Sequence, residues 1–481
     1  MGQTITVAAL SLTLIGSACA SDWKLDAGIT ARETYTDNVS LVPSGAKSDL
    51  ITEITPTITA KKNGARFKAD VSYSNQNLVY AQDAARNTTY HQLNARANAE
   101  LFEKEIFLDA TTAISQASIS PLGASGVDNT SATGNLSSVR TTSVSPYWLH
   151  RFGSTATLNA RYTISDVGNS SNSFSGSTNT STNVSLASGS AFGRVSWGLN
   201  FSDQTVDYQD RSDTSFTSTS ANLGYLFSSR FKLTGTLGTE KNRYASTAGA
   251  DTGGSFWNTT LSWAPSTRTS LDLGLGHRYY GKSWNMAFKT RGVYSEWTAD
   301  YNEAITTSNS QFGAVTPTAF SIQVPGGVVN GIYNDPTQIQ TNQVFLSKNF
   351  STGFNWKKGK SGITLRAYRA LQTAQESSQV TGLLNNGAFQ NTSTIKQLGF
   401  NAGWTWDLTP LMSTSVTGGA SKNVYPGLNR EDTTTNLQIG LNRKFSPKLT
   451  GNVFLRRQVR DSNQNADYTE NALSGSVTYT F

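Results

Sequence analysis

The last ten residues, Ala472-Leu473-Ser474-Gly475-Ser476-Val477-Thr478-Tyr479-Thr480-Phe481, decide the fold class. On an extended chain Leu473, Gly475, Val477, Tyr479 and Phe481 share one face, while Ala472, Ser474, Ser476, Thr478 and Thr480 share the other. A greasy face, a small polar face and an aromatic end make the pattern of a lipid-facing strand closing a transmembrane barrel. The same alternation recurs upstream. Val195, Trp197, Leu199 and Phe201 alternate with Arg194, Ser196, Gly198 and Asn200; Leu398, Phe400, Ala402, Trp404 and Trp406 alternate with Gln397, Gly399, Asn401, Gly403 and Thr405. Leu437, Ile439, Leu441 and Phe445 repeat the rule.

Alternation alone also suits a soluble sheet, so the aromatic residues and the connections carry the distinction. Tyr73, Trp148, Trp263, Trp284, Trp297, Trp356 and Trp406 are expected near strand ends, where an interfacial girdle would lie. Short connections at 61–64, 102–105, 151–154, 228–230, 264–266, 357–360 and 446–448 alternate with long polar ones at 115–139, 165–179, 304–343 and 377–393. Outer-membrane barrels keep short turns in the periplasm and long loops outside. The expectation is an all-β chain forming a single transmembrane antiparallel β-barrel of about 22 strands, within a range of about 20–24.

Composition agrees. Only 15% of the 481 residues are charged and 10% are aromatic, which is wrong for a disordered chain. Beyond the first residues no apolar run approaches the roughly 18 needed for a spanning helix. Met1 to Ala20 reads as a signal peptide, with an apolar stretch from Ile5 to Ile15 and Ala18-Cys19-Ala20 before the cut, leaving 21–481 as the barrel. A lipoprotein reading of Cys19 would need Leu where Gly16 stands. Cys19 is the sole cysteine, so the mature chain would have no thiol chemistry. Alternation begins near Leu25, which leaves no room for an N-terminal plug domain. The lumen would then be open, filled by a partner, or occluded by its own loops, and 304–343, with Val324-Pro325-Gly326-Gly327 and Asn334-Asp335-Pro336, is the expected occluder if it is more than a surface loop.

Short stretches follow one another in the order Glu33-Thr34-Tyr35-Thr36-Asp37-Asn38-Val39, Thr52-Glu53-Ile54-Thr55-Pro56, Tyr90-His91-Gln92-Leu93-Asn94-Ala95, Ser145-Pro146-Tyr147-Trp148-Leu149-His150-Arg151-Phe152-Gly153-Ser154, and Gly276-His277-Arg278-Tyr279-Tyr280-Gly281. Together they resemble the outer-membrane proteins associated with PEP-CTERM and exosortase systems. The resemblance implies a cell outer membrane protein of Gram-negative bacteria that make exopolysaccharide. It carries over no functional residue. The ending likewise resembles that of outer-membrane barrels at large, which implies that Tyr479 and Phe481 are the C-terminal assembly signal.

With the apolar face outward, Arg96, Arg161, Arg194, Arg278, Arg366, Arg456 and Lys68 are expected to line the lumen, offset by Asp70, Glu100, Asp272, Glu296 and Asp300. Two readings follow: a field favouring anionic solute, or a wall network of paired charges. Enzyme chemistry finds no footing. The histidines are His91, His150 and His277, without metal-ligand spacing, and no Gly-x-Ser-x-Gly motif stands between a strand and a helix. No catalytic, metal or cofactor-binding residue is expected, and no nucleic-acid partner. Partners would be outer-membrane lipid and lipopolysaccharide, the assembly machinery, and exopolysaccharide or its export components. Two functions stand: a porin-like channel for export or diffusion of a large or anionic solute linked to exopolysaccharide secretion, and a structural or interaction barrel displaying surface glycan or PEP-CTERM proteins.

Overall fold

The computed structural model describes residues 23–170, 176–209, 212–246, 252–314, 321–324, 327–330, 341, 343–376, 389 and 392–481. The expected leader lies outside the described residues, as do Pro325, Gly326 and Asn334-Asp335-Pro336.

In chain order the strands begin β1 (Trp23–Thr36), β2 (Asp49–Asn63), β3 (Phe67–Tyr80), β4 (Thr88–Phe102), β5 (Ile106–Ser118), β6 (Leu136–Phe152), β7 (Ala156–Asn169) and β8 (Ser177–Ser188). Next come β9 (Val195–Tyr208), β10 (Thr214–Ser228), β11 (Phe231–Arg243), β12 (Gly253–Ser266), β13 (Thr269–Arg278), β14 (Gly281–Arg291) and β15 (Ser295–Thr307). A short helix α1 (Ser308–Ala314) and the hairpin β16 (Ser321–Val324) and β17 (Gly327–Asn330) follow. The chain ends with β18 (Val344–Lys358), β19 (Ser361–Ala374), β20 (Thr394–Thr409), β21 (Met412–Tyr425), β22 (Arg430–Ser446), β23 (Leu449–Ser462) and β24 (Tyr468–Thr480). Apart from the hairpin, the described strands form one 22-stranded sheet, and β24 pairs antiparallel with β1 from Thr480↔Gly28 to Ala472↔Thr36. The sheet is therefore a closed barrel, which leaves no free sheet edge at the seam.

The period-2 pattern sets the two faces. Leu473, Val477, Tyr479 and Phe481 are exposed on the outside of β24, while Tyr468, Glu470, Ala472 and Ser474 are buried on the inside. Inner-face hydroxyls cross the seam, Thr30 Oγ1 to Thr478 Oγ1 at 2.9 Å and Thr34 Oγ1 to Ser474 Oγ at 2.8 Å. Exposed Trp148, Trp297, Trp404 and Trp406 sit near the short-turn end. Three of their indole N–H groups find partners there, Trp148 on Glu105 Oε2 (3.1 Å), Trp297 on Thr352 Oγ1 (2.8 Å) and Trp404 on Ser361 Oγ (2.8 Å). An amphipathic ring with a satisfied donor suits the boundary between hydrocarbon and water. Hydrogen bonds from Trp148 and His150 in turn hold the Glu105 carboxyl, in the β4–β5 turn, below the usual range. Tyr73 departs from the expectation: it lies in the middle of β3, its hydroxyl 2.8 Å from His91 Nδ1.

Connections at one end are short. Gly153 and Gly359 take positive φ (57° and 58°) at two of these tips, a conformation that favours glycine. Two expected boundaries shift: Ala264-Pro265-Ser266 completes β12 and the turn falls at 267–268, and Lys61-Lys62-Asn63 completes β2 and the turn falls at 64–66. The other end carries the long connections together with shorter ones at 209–213, 426–429 and 463–467, and the shortest there joins β13 to β14. The strands β13 and β14 are short and joined by Tyr279 and Tyr280 alone, and β14 pairs with β15 only from Met286↔Tyr301 to Arg291↔Glu296. Among the described residues Asn302 to Thr307 pair with β18 alone, so the rim is low on that side.

Candidate solute path and its constriction

Strand β23 aims Arg456, Gln458 and Arg460 inward at successive period-2 positions, with Val453 and Leu455 exposed outside. All three inward side chains are buried, although they line a wide barrel. What covers them is the connection between β5 and β6, residues 119–135, folded back into the lumen.

The contacts run along that segment. Arg460 donates to the carbonyls of Gly123 (2.7 Å) and Leu122 (3.2 Å), and Gln458 donates to the Ser125 carbonyl (2.9 Å). Arg430 reaches the Leu122 carbonyl (2.8 Å), Tyr425 the Pro121 carbonyl (3.2 Å) and Tyr468 the Ser125 carbonyl (3.0 Å). From the opposite flank Tyr80 donates to the Thr130 carbonyl (2.9 Å), and the Ala132 amide donates to the Val39 carbonyl (2.8 Å). Side chains thus satisfy a loop backbone that no ladder satisfies, which buried polar groups require.

Charge completes the clasp. Asp128 lies 2.7 Å from Arg456, whose other amine lies 2.8 Å from Glu470. Asp432 joins Arg460 (2.7 Å) and Arg430 (3.0 Å), and Arg32 joins Glu53 (3.2 Å). Burial opposes ionisation of Asp128, but the Arg456 and Arg32 guanidinium charges and hydrogen bonds from Thr130 outweigh it and lower its pKa to about 2. Apolar contacts anchor both ends: Leu122 packs against Phe345, Phe389, Ile395 and Tyr425, and Ala132 against Val39, Ile51, Leu78 and Tyr80.

Two further ties cross the lumen at the same end. Helix α1, which continues β15, reaches β8 and β9: Asn309 bonds to Ser177, and Gln204 Nε2 donates to Ser310 Oγ at 2.8 Å. Ser246, just after β11, bridges to Glu376, just after β19. The expectation that 304–343 could occlude the lumen thus meets a described part, 308–311, that packs inside the barrel. Among the described residues the segment bound most to the wall is nevertheless 119–135, which the sequence reading places among the outer loops. Apart from the Asp128 carboxylate and the Ala132 amide, the polar groups it offers the wall are mostly backbone carbonyls, which carry no signature in a sequence. The one legible signal was the run Arg456-x-Gln458-x-Arg460, three long donors in a row on one inward face.

The inward residues named from sequence fall as follows. Arg161 pairs with Asp109 at 2.7 Å and stacks 4.0 Å over Tyr147. Arg278 pairs with Glu240 at 3.1 Å and lies 4.8 Å from the Phe256 ring centre. Arg96 stands opposite Asp70, which reaches Lys61 at 3.7 Å. Arg366 shares its face with buried Tyr368 and Gln372 and is itself exposed, and Lys68 shares the inner face of β3 with Gln76 and Leu78. Arg194 is placed differently: it precedes β9 in the short turn, its carbonyl accepting from the Leu226 amide at 2.8 Å. Glu296 pairs with Arg291 and Lys289 at the short-turn end. Glu100 accepts from the Lys104 amide, and Asp272 and Asp300 hold strand positions on β13 and β15. Among the described residues no cluster of metal-binding side chains occurs.

No protein-family model and no curated protein matches the chain. Among solved structures it is similar to the FrpB iron transporter from Neisseria meningitidis, F3-3 variant, with 9% identity, 96% of this chain and 82% of that chain covered, and a TM-score of 0.52. It is similar to the siderophore receptor PiuA from Acinetobacter baumannii with 10% identity, 96% and 82% coverage and a TM-score of 0.51. The outer membrane protein OpdK from Pseudomonas aeruginosa aligns over 95% of this chain and 99% of that one, at 10% identity and a TM-score of 0.36. What the chain shares with FrpB and PiuA is the fold, that of a large outer-membrane β-barrel.

Proposed function

We propose that this chain is an outer-membrane channel whose outer half is narrowed by its own infolded segments, 119–135 foremost. The observation that carries the reading is the donor row Arg456, Gln458 and Arg460, which binds the Asp128 carboxylate and the loop carbonyls of Ser125, Gly123 and Leu122 where an unobstructed pore would present those side chains to water. Four arginines and four carboxylates neutralise one another across this clasp, so its charges serve to hold the loop rather than to steer anions. The cargo we assign is a polar, extended solute. The resemblance to PEP-CTERM-associated proteins supports exopolysaccharide as that solute, and Arg161 over Tyr147 and Arg278 over Phe256 offer the paired cationic and aromatic surfaces a glycan would slide along.

The test is single-channel conductance in planar bilayers, for the intact barrel and for a variant in which 121–133 is replaced by a short glycine-rich turn. Small or intermittent conductance that rises severalfold on replacement is expected. A folded barrel that passes no current in either form would overturn the channel and leave the display role.

A further inference from the structure

The outer wall of β18–β22 carries cations at a height where a lipid-facing surface ends. Register places Glu303, Lys348, Leu371, Lys396, Val424 and Glu431 in one outward row. Tyr301, Phe350, Arg369, Leu398, Lys422 and Thr433 form the row next to it, towards the short-turn end. Exposed Leu398, Phe400, Trp404 and Trp406 identify this as the face turned to lipid. The cations zigzag across four adjacent strands, with diagonal neighbours about 7–8 Å apart.

Acids neutralise only the flanks. Glu303 reaches Lys348 at 3.4 Å, and Glu431 reaches Lys422 at 2.6 Å. Arg369 and Lys396, between them, are exposed, and among the described residues neither has a carboxylate within ion-pair distance. Ten residues separate Lys396 from Trp406 along β20, so at strand rise and usual tilt the pair spans about 25 Å, the height of an apolar band. With Trp406 at one interface, Lys396 lies at the headgroup level of the outer leaflet. An unneutralised cation is costly on the lipid face away from the interfaces, but at this height it meets phosphate.

We infer that Arg369 and Lys396, framed by Lys348 and Lys422, form a binding site for the phosphates of an outer-leaflet glycolipid, the lipid A part of lipopolysaccharide, with its acyl chains laid on Leu398 and Phe400. Arg369 supplies a planar fork for one phosphate and Lys396 a point charge beside it. The inference rests on the outer-membrane reading but not on the channel.

The test reconstitutes the full barrel in phosphatidylcholine nanodiscs containing bisphosphorylated lipid A or its dephosphorylated form, and measures lipid retained after detergent exchange by mass spectrometry. The wild-type barrel should retain the phosphorylated lipid about tenfold or more over the dephosphorylated one, and the Arg369→Gln/Lys396→Gln variant should lose that preference. The comparison of the two lipids needs no variant. Lys282→Gln, on the outside of β14, should retain the lipid as wild type does, and conductance should be unchanged in all variants. Equal retention of both lipids, or displacement by millimolar inorganic phosphate, would overturn the site. A chain that never inserts into bilayers would overturn the outer-membrane reading with it, whereas an inserted barrel that retains no lipid A sinks this inference alone.

Discussion

Asp128 is ionised inside the lumen because arginine charge outweighs the burial that opposes it, and the sign of its pH dependence follows. Its folded pKa, about 2, lies below the ordinary 3.8, so its contribution to the clasp is complete above about pH 4 and disappears as pH falls from 3.8 through 2. Conductance should therefore be flat from neutral pH to about 4 and rise below it, and Asp128→Asn should abolish that acid step while raising conductance at neutral pH. Arg456 sits between Asp128 and Glu470, and Arg456→Gln strands both carboxylates; a loss of about 3–5 kcal/mol in barrel stability is expected, read from the heat-modifiable gel shift. At this scale the sequence was half legible. The parity of Arg456 with Gln458 and Arg460, opposite to Val453 and Leu455, announces an inward arginine, but its acid partner lies 328 residues away in a loop whose fold depends on tertiary contacts.

Individual strands were the most legible elements. Hydrocarbon outside and polar surface inside impose strict alternation, so β9, β20, β22 and β24 could be read without a neighbour in view. The long connections could not, because Ser, Asn, Gly and Asp look alike in a solvated loop and in one whose carbonyls are capped by wall side chains. Helix α1 shows the same blindness: nothing in Ser308-Asn309-Ser310 foretells a seat against Ser177 and Gln204 across the barrel. Its position is testable with Gln204→Cys/Ser310→Cys, since Cys19 lies in the expected leader and leaves the background free of thiols. A short bifunctional thiosulfonate should join the two positions in the folded barrel and hold conductance at its unmodified level, whereas failure to link them would show that α1 lies elsewhere.

For the molecule as a whole, closure depends on β24 finding β1. Phe481 extends that seam, its amide donating to the Ala27 carbonyl at 2.9 Å, and its ring packs edge-on against Tyr479 at 5.3 Å on the outside. Deleting Phe481 should cut the amount of folded barrel in outer-membrane fractions severalfold while purified chain still refolds in detergent. Equal yields would remove Tyr479 and Phe481 as an assembly signal. The even strand count and the seam were foreseeable from periodicity and chain length; the uneven rim was not, since a two-residue turn at Tyr279 and Tyr280 in place of a long loop changes the wall height without disturbing alternation.

That low stretch of wall has a mechanical consequence. Among the described residues, backbone amides and carbonyls of Asn302 to Thr307 that point away from β18 meet no strand, so the staves of the cask are weakest where β14 stops short. Deuterium should enter there sooner than at any matched height around the circumference. Anything leaving the interior sideways, into the surrounding bilayer rather than over the top, would break the fewest strand-to-strand hydrogen bonds there.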